Sequence, residues 1–163
     1  MLISEKLNKA LNDQIGNEFG ASMQYLSIAG YFQQQNLQLL SNLFFDQAEE
    51  EKEHAMKLVH YVLDTQGELR IPAIAEAKHT FSSAEEAVEA ALNWEKAVTK
   101  QINDLMDIAV SDNDYLSQNM LQWFVDEQLE EINKMTQLLS VIQRAGERNL
   151  LMVEAYLVHL NEG

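Results

Sequence analysis

Glu51 and His54 stand three residues apart in the run Gln47-Ala48-Glu49-Glu50-Glu51-Lys52-Glu53-His54-Ala55. On a helix that spacing puts both side chains on one face, about one turn from each other. A carboxylate and an imidazole so placed can ligate one cation, and the carboxylate can bridge to a second. A run rich in Glu and Lys is also what an ordinary wet helix face looks like. The remaining chain decides between the two.

Composition narrows the field. The 163 residues suffice for one domain with a sizeable core. Six Gly and a single Pro among abundant Leu, Ala, Glu and Gln predict an all-α chain with few turns. With no Cys, disulfides, thiolate metal sites and cysteine nucleophiles are excluded. A net charge of -15, from 26 acidic against 11 basic residues, argues against nucleic acid and anionic membranes as partners and suits attraction of cations. The opening Met1-Leu2-Ile3-Ser4-Glu5-Lys6 has no long apolar stretch after its charges, so no signal peptide is expected. The uncharged stretch 19–45 is full of amides, which hydrocarbon would not tolerate, so no membrane span is expected either. The expected location is the cytoplasm.

Periodicity supplies the elements that must position the pair. Ser4 followed by Glu5 starts a helix A, and apolar residues recur at helical spacing from Leu7 to Phe32. Helix A is predicted over about 4–35, with Gly16, Gly20 and Gly30 marking close helix contacts. Helix B is predicted over about 39–66 with Gly67 as its stop, and a connection without strong periodicity over 67–82. Ser83-Ala84-Glu85-Glu86 is a capping box that opens helix C, about 83–110. After the polar turn Ser111-Asp112-Asn113-Asp114 come helix D, about 114–145, and a short helix E, about 147–160. Short breaks make A/B and C/D antiparallel pairs. The B-to-C segment is long enough to climb the height of the bundle, so B and C should run parallel, joined by one long crossover.

The two hairpins repeat. A shift of 77 residues lays Glu18 on Glu95, Glu50 on Glu127, Glu51 on Gln128 and His54 on Glu131, with Leu11 on Val88 and Leu58 on Met135. Measured from the turn of each hairpin, all six ligand-type residues lie about 22–27 Å along the axis, at one level of the bundle. On helix D, Gln128 and Glu131 share a face with Leu121, Phe124, Met135, Leu138 and Ile142, so that face is buried. Buried carboxylates without partners cost several kcal/mol apiece. Glu18, Glu51, Glu95 and Glu131 carry four negative charges. Two Fe(II), or an oxo-bridged pair of Fe(III), would neutralise them, which no single metal ion does in both redox states.

Taken together, these residues resemble the non-haem ferritins of bacteria and archaea. Glu18, Tyr25, Glu51-x-x-His54, Glu95, Trp123 and Gln128-x-x-Glu131 all fall where that family has them, and the resemblance covers essentially the whole chain. It implies a ferritin-like four-helix bundle with one long B-to-C crossover plus a short C-terminal fifth helix. It also implies a ferroxidase: a di-iron (Fe) centre in each subunit that oxidises Fe(II) with dioxygen and passes Fe(III) to a mineral inside a hollow homo-oligomeric shell of about 24 subunits. Glu18 and His54 would hold one iron, Glu95 and Glu131 the other, and Glu51 would bridge. Gln128 would hydrogen-bond a water or oxygen species on the irons, leaving the second site weaker and more exchangeable. Tyr25 would bond a ligand carboxylate or donate an electron. Glu50, Glu127 and Glu130 lie where bacterial ferritins have a third iron site, with a plain solvated face as the alternative. Trp123 is either part of that chemistry or ordinary packing.

Two departures limit the resemblance. Helix D lacks the second Glu-x-x-His of bacterioferritins and Lys52 replaces their haem-ligating Met, so no haem is expected. The two acidic residues of the animal three-fold channel are here Gln118 and Leu121, leaving Asp112 and Asp114 as candidates for the way in, or as turn and cap residues. Helix E is apolar almost all round, which predicts burial against other subunits. The competing classes are a di-iron oxygenase or peroxidase of the rubrerythrin kind, and an acidic helical scaffold without catalysis.

Overall fold

A computed structural model describes residues 1–162, with side chains described through residue 160. The described residues form five α-helices and no strands: α1 (Glu5–Gln34), α2 (Gln38–Asp64), α3 (Ala84–Ser111), α4 (Tyr115–Ala145) and α5 (Leu150–Glu162). A single 3₁₀ turn, Glu147–Asn149, precedes α5, so the last helix starts later than periodicity predicts. Among the described residues no helix is long and apolar enough to cross a membrane.

The helix ends show why the chain turns where it does. Ser4, Ser83 and Asp114 each accept a hydrogen bond from a backbone N–H of the first turn of α1, α3 and α4. At their C-terminal ends, α1, α2 and α3 stop in the same way. Asn36, Gln66 and Asn113 adopt φ of 60, 59 and 54°, and the next N–H closes back on the carbonyl five residues earlier: Leu37 on Phe32, Gly67 on Val62, Asp114 on Ala109. The left-handed residue after α2 is therefore Gln66, and Gly67 is needed for another reason. A Cβ there would lie 2.3 Å from Asn8 Oδ1 and 2.9 Å from the Val62 carbonyl.

Contacts between helices fix the directions. Ser22 reaches Ala48 and Ser41 reaches Ala29, so α1 and α2 are antiparallel. Tyr25 meets Ala91 and Ser4 meets Asp112, so α1 and α3 are antiparallel too, which makes α2 and α3 parallel. Between them, the crossover climbs along α1 on a stripe four residues apart. Asn12 donates to the Glu68 carbonyl and accepts from the Arg70 N–H; Gln24 does the same with both backbone groups of Lys78. Two amides thus satisfy a segment with no ladder of its own. Between these clasps Pro72 presses into Gly16, where a Cβ would lie 2.6 Å from its ring, and Trp94 of α3 covers Gly20. Gly30, expected to mark a close contact, has nothing within 4 Å of its Cβ position.

The core is two clusters rather than one. One gathers Tyr25, Phe32, Phe44, Leu92, Met135 and Val153; the other gathers Leu7, Ile15, Leu58, Val98, Leu121 and Phe124. Every helix of the bundle passes from one cluster to the other through a polar middle. Helix α5 lies across the end of the bundle with Val153 and Leu157 buried. It also completes α2, which has no capping side chain of its own: the Glu154 carboxylate accepts from the N–H groups of Leu39 and Leu40 at 2.7 and 3.2 Å. Leu151, Met152, Val158 and Leu160 stay exposed on this chain.

Candidate metal centre

The polar middle holds Glu18 from α1, Glu51 and His54 from α2, Glu95 from α3, and Gln128 and Glu131 from α4, all buried. Two groups of three could each hold a metal ion: Glu18, Glu51 and His54, and Glu51, Glu95 and Glu131, with the ligand atoms of each group within 4.8 Å of one another. Glu51 belongs to both. Each apolar helix stripe brings one or two of these residues inward, and neighbouring helices crowd them to a common height.

The donors suit a divalent cation of oxygen and imidazole preference. Glu18 Oε2, both oxygens of Glu51 and Nδ1 of His54 are buried with no hydrogen-bond partner. His54 Nδ1 faces a Glu51 oxygen at 3.3 Å without a bond between them. Four buried polar atoms thus converge without a partner from the protein.

The second group is wired differently. Tyr25 donates its hydroxyl hydrogen to Glu95 Oε1. The Gln128 amide, expected to reach an oxygen species on the irons, donates to Glu95 Oε2 at 3.1 Å and to Thr99 Oγ1 at 3.1 Å. Gln47 donates to Glu131 Oε2 at 2.7 Å.

Burial dominates the electrostatics. It raises the carboxyl of Glu18, and it raises that of Glu51 well above the usual carboxylate range, with Glu95 and Glu18 adding repulsion. It lifts Glu131 to about 8, with Glu95 adding to it. The Tyr25 hydroxyl is pushed well above its ordinary value by burial and then by the Glu95 charge. A divalent ion would reverse these shifts by supplying the missing positive charge.

Outside the centre, Glu50, Glu127 and Glu130 line a cavity of about 570 Å³ between α2 and α4, together with Glu53, Lys57 and Lys134. Among the described residues these three carboxylates do not close into a metal-holding group. Trp123 is no core residue: it is 38% exposed, edge-on to His54 with ring centroids 5.4 Å apart, and Lys57 Nζ sits 3.9 Å from its centre. Asp114 caps α4 and Asp112 accepts from Ser4 Oγ at 2.6 Å, so both are engaged within the chain. Gln118 bonds the Ala109 carbonyl and Leu121 is buried. His60, His79 and His159 are exposed.

Sequence reasoning passed over three supporting residues. Gln14 donates to Glu18 Oε1 at 2.9 Å; Gln47 holds Glu131 from the facing helix; the Thr99 hydroxyl donates to the Glu95 carbonyl and accepts from Gln128. The first two were visible as amides four residues before a ligand-type Glu in a buried stripe. The 77-residue repeat hid them, because the matching positions are Ala91 and Phe124.

A four-helix bundle with two inward groups of Glu and His side chains sharing one Glu is the architecture of the metal-handling helical bundles. Within that class the chain belongs to the ferritin family, whose members store iron. A family profile described as the ferritin-like domain matches residues 8–145. Ferritin BfrB of Mycolicibacterium smegmatis is 39% identical over 155 residues, spanning 95% of this chain and 85% of that protein. The bacterial non-heme ferritin of Staphylococcus aureus is 33% identical over 146 residues, 90% of this chain and 88% of that one. Among solved structures, an open pore ferritin of the hyperthermophilic archaeon Archaeoglobus fulgidus superposes with a TM-score of 0.91 at 36% identity, covering 95% of this chain and 96% of that chain.

Proposed function

We propose that this chain is an iron-storage ferritin with ferroxidase activity: each subunit takes two Fe(II) as substrate, gives their electrons to dioxygen, and passes Fe(III) to a mineral in a hollow shell of about 24 copies. The cytoplasm is its proposed location. In this reading Glu18 and His54 hold one iron, Glu95 and Glu131 the other, and Glu51 spans both.

The observation that carries the reading is the pair of triads sharing Glu51, with their buried lone pairs aimed at one another. Side chains arranged so are costly unless cations complete them. His54 and the carboxylates would bind the two ions side by side in the buried polar layer. Gln14, Gln47 and Gln128 hold three of the carboxylates in place by donated hydrogen bonds. Tyr25 holds Glu95 from the α1 side and keeps its own proton, since burial raises it well above the usual range.

Stopped-flow absorbance after mixing metal-free protein with Fe(II) and air tests the proposal. The expected result is a rapid phase that saturates near two Fe(II) per subunit and outruns buffer. Oxidation no faster than buffer would leave an acidic helical scaffold. A particle that elutes as a monomer or dimer in size exclusion, yet oxidises Fe(II), would favour a di-iron oxygenase.

A further inference from the structure

We propose that Lys134 is a tethered counter-cation of the cavity between α2 and α4, and that its ammonium holds the charge position beside the second triad that a third metal ion would otherwise take. The inference rests on the two-metal reading above. It adds what sets the number at two.

Five carboxylates line the cavity, against the ammonium groups of Lys57 and Lys134 alone. Such a wall would attract a further divalent ion unless something already there answered its charge. Lys57 is committed elsewhere, over the Trp123 ring. Lys134 follows Glu130 and Glu131 by one turn of α4, so its stem runs along their face. Its ammonium donates to Gln47 Oε1 and lies 3.7 Å from a Glu50 oxygen. Gln47 is 1% exposed, so this surface lysine is fastened to a side chain of the interior.

That fastening has a second effect. With its oxygen taken by the ammonium, the Gln47 amide turns its N–H toward Glu131. Lys134 is therefore a positioning residue for a second-triad carboxylate as well as a charge. A metal ion among Glu50, Glu127 and Glu130 would have to displace a cation attached to the same helix, which competes at high effective concentration. It would also face that cation's repulsion at close range.

The test uses the assembled full chain with Zn(II), which binds without redox chemistry. Crystals soaked in Zn(II) and measured at the zinc edge report position and number, and calorimetry reports stoichiometry. The natural chain is expected to hold two ions per subunit. Lys134→Met is expected to hold three, the extra one among Glu50, Glu127 and Glu130, with binding there tightened by about tenfold or more. Lys134→Arg, which keeps the charge, is expected to stay at two. Because Lys134 is partly exposed on a helix surface, the variants should assemble, which size exclusion verifies. A Met variant that stays at two, or a natural chain that holds a third ion at the same Zn(II) concentration, overturns the inference alone. Fewer than two ions in the natural chain overturns the two-metal reading and this inference with it.

Discussion

The two hairpins descend on the same layer with matching residues, yet they arrive in opposite chemical states. The α1/α2 side brings Glu18, Glu51 and His54, and four of their polar atoms are buried without a partner. On the α3/α4 side, Glu95 and Glu131 already accept hydrogen bonds from Tyr25, Gln128 and Gln47. A buried acceptor left unpaired costs about 1–3 kcal/mol, and a cation arriving at the first triad recovers that cost. A cation arriving at the second finds Glu51 free but must share the Glu95 and Glu131 oxygens that donors already hold. One candidate position thus has four unpartnered atoms, and the other has the two of the shared Glu51. The first should bind tightly, and the second should exchange.

Removing the residue common to both triads has the largest effect. Glu51→Gln is expected to slow Fe(II) oxidation by more than the roughly hundredfold that losing a supporting partner costs, as read by stopped flow. The same variant, metal-free at pH 8, is expected to melt about 2–4 °C higher, because a like-charged buried carboxylate is gone. A lower melting temperature would mean that Glu51 holds the bundle together instead of waiting for metal.

Next come substitutions that separate the two triads. His54→Ala is expected to erase the tighter step of a Zn(II) titration and Glu131→Ala the weaker, each slowing iron oxidation by about 10–100-fold while the shell stays assembled. If the steps vanish in the opposite order, the contrast between the hairpins is wrong.

A smaller effect follows from Glu131, whose carboxyl is raised by burial to about 8. A carboxyl that holds its proton more tightly folded than unfolded contributes stability that is full below about 4.5 and is lost as pH rises toward about 8. Thermal melts of metal-free protein should therefore fall across that window. Glu131→Gln should flatten the fall, and an unchanged slope in that variant would assign the dependence to other groups. The smallest change is expected from Tyr25→Phe. Freeing Glu95 Oε1 makes the second triad more like the first, tightening its Zn(II) step by about threefold at a cost of about 1 kcal/mol in metal-free stability. A weaker second step would show that Tyr25 helps to shape the site rather than to occupy it.

Much of the centre is legible in the sequence, because ligand-type residues at helical spacing in an apolar stripe can point only inward. Glu51 with His54, and Gln128 with Glu131, announce themselves in this way, and the 77-residue repeat carries Glu18 and Glu95 to the same height. The supporting atoms were not legible. Gln47 finds Glu131 and Lys134 across the gap between α2 and α4, and neither partner lies within a helical turn of it. The same holds for Asn12 and Gln24, which read as ordinary polar residues of α1 until the crossover backbone is seen lying on them. It holds again for Glu154, whose task is to cap a helix more than a hundred residues away.

The order of residues is enough to set the helices, their pairing into hairpins, the long crossover and the identity of the buried polar layer. These follow from local periods, caps and connection lengths, which act within a few turns of chain. Which of those polar atoms find a partner is settled by how the helices pack. Hydrogen bonding between side chains depends on where independent helices bring their surfaces to within about 3 Å, and no one-dimensional pattern encodes that distance.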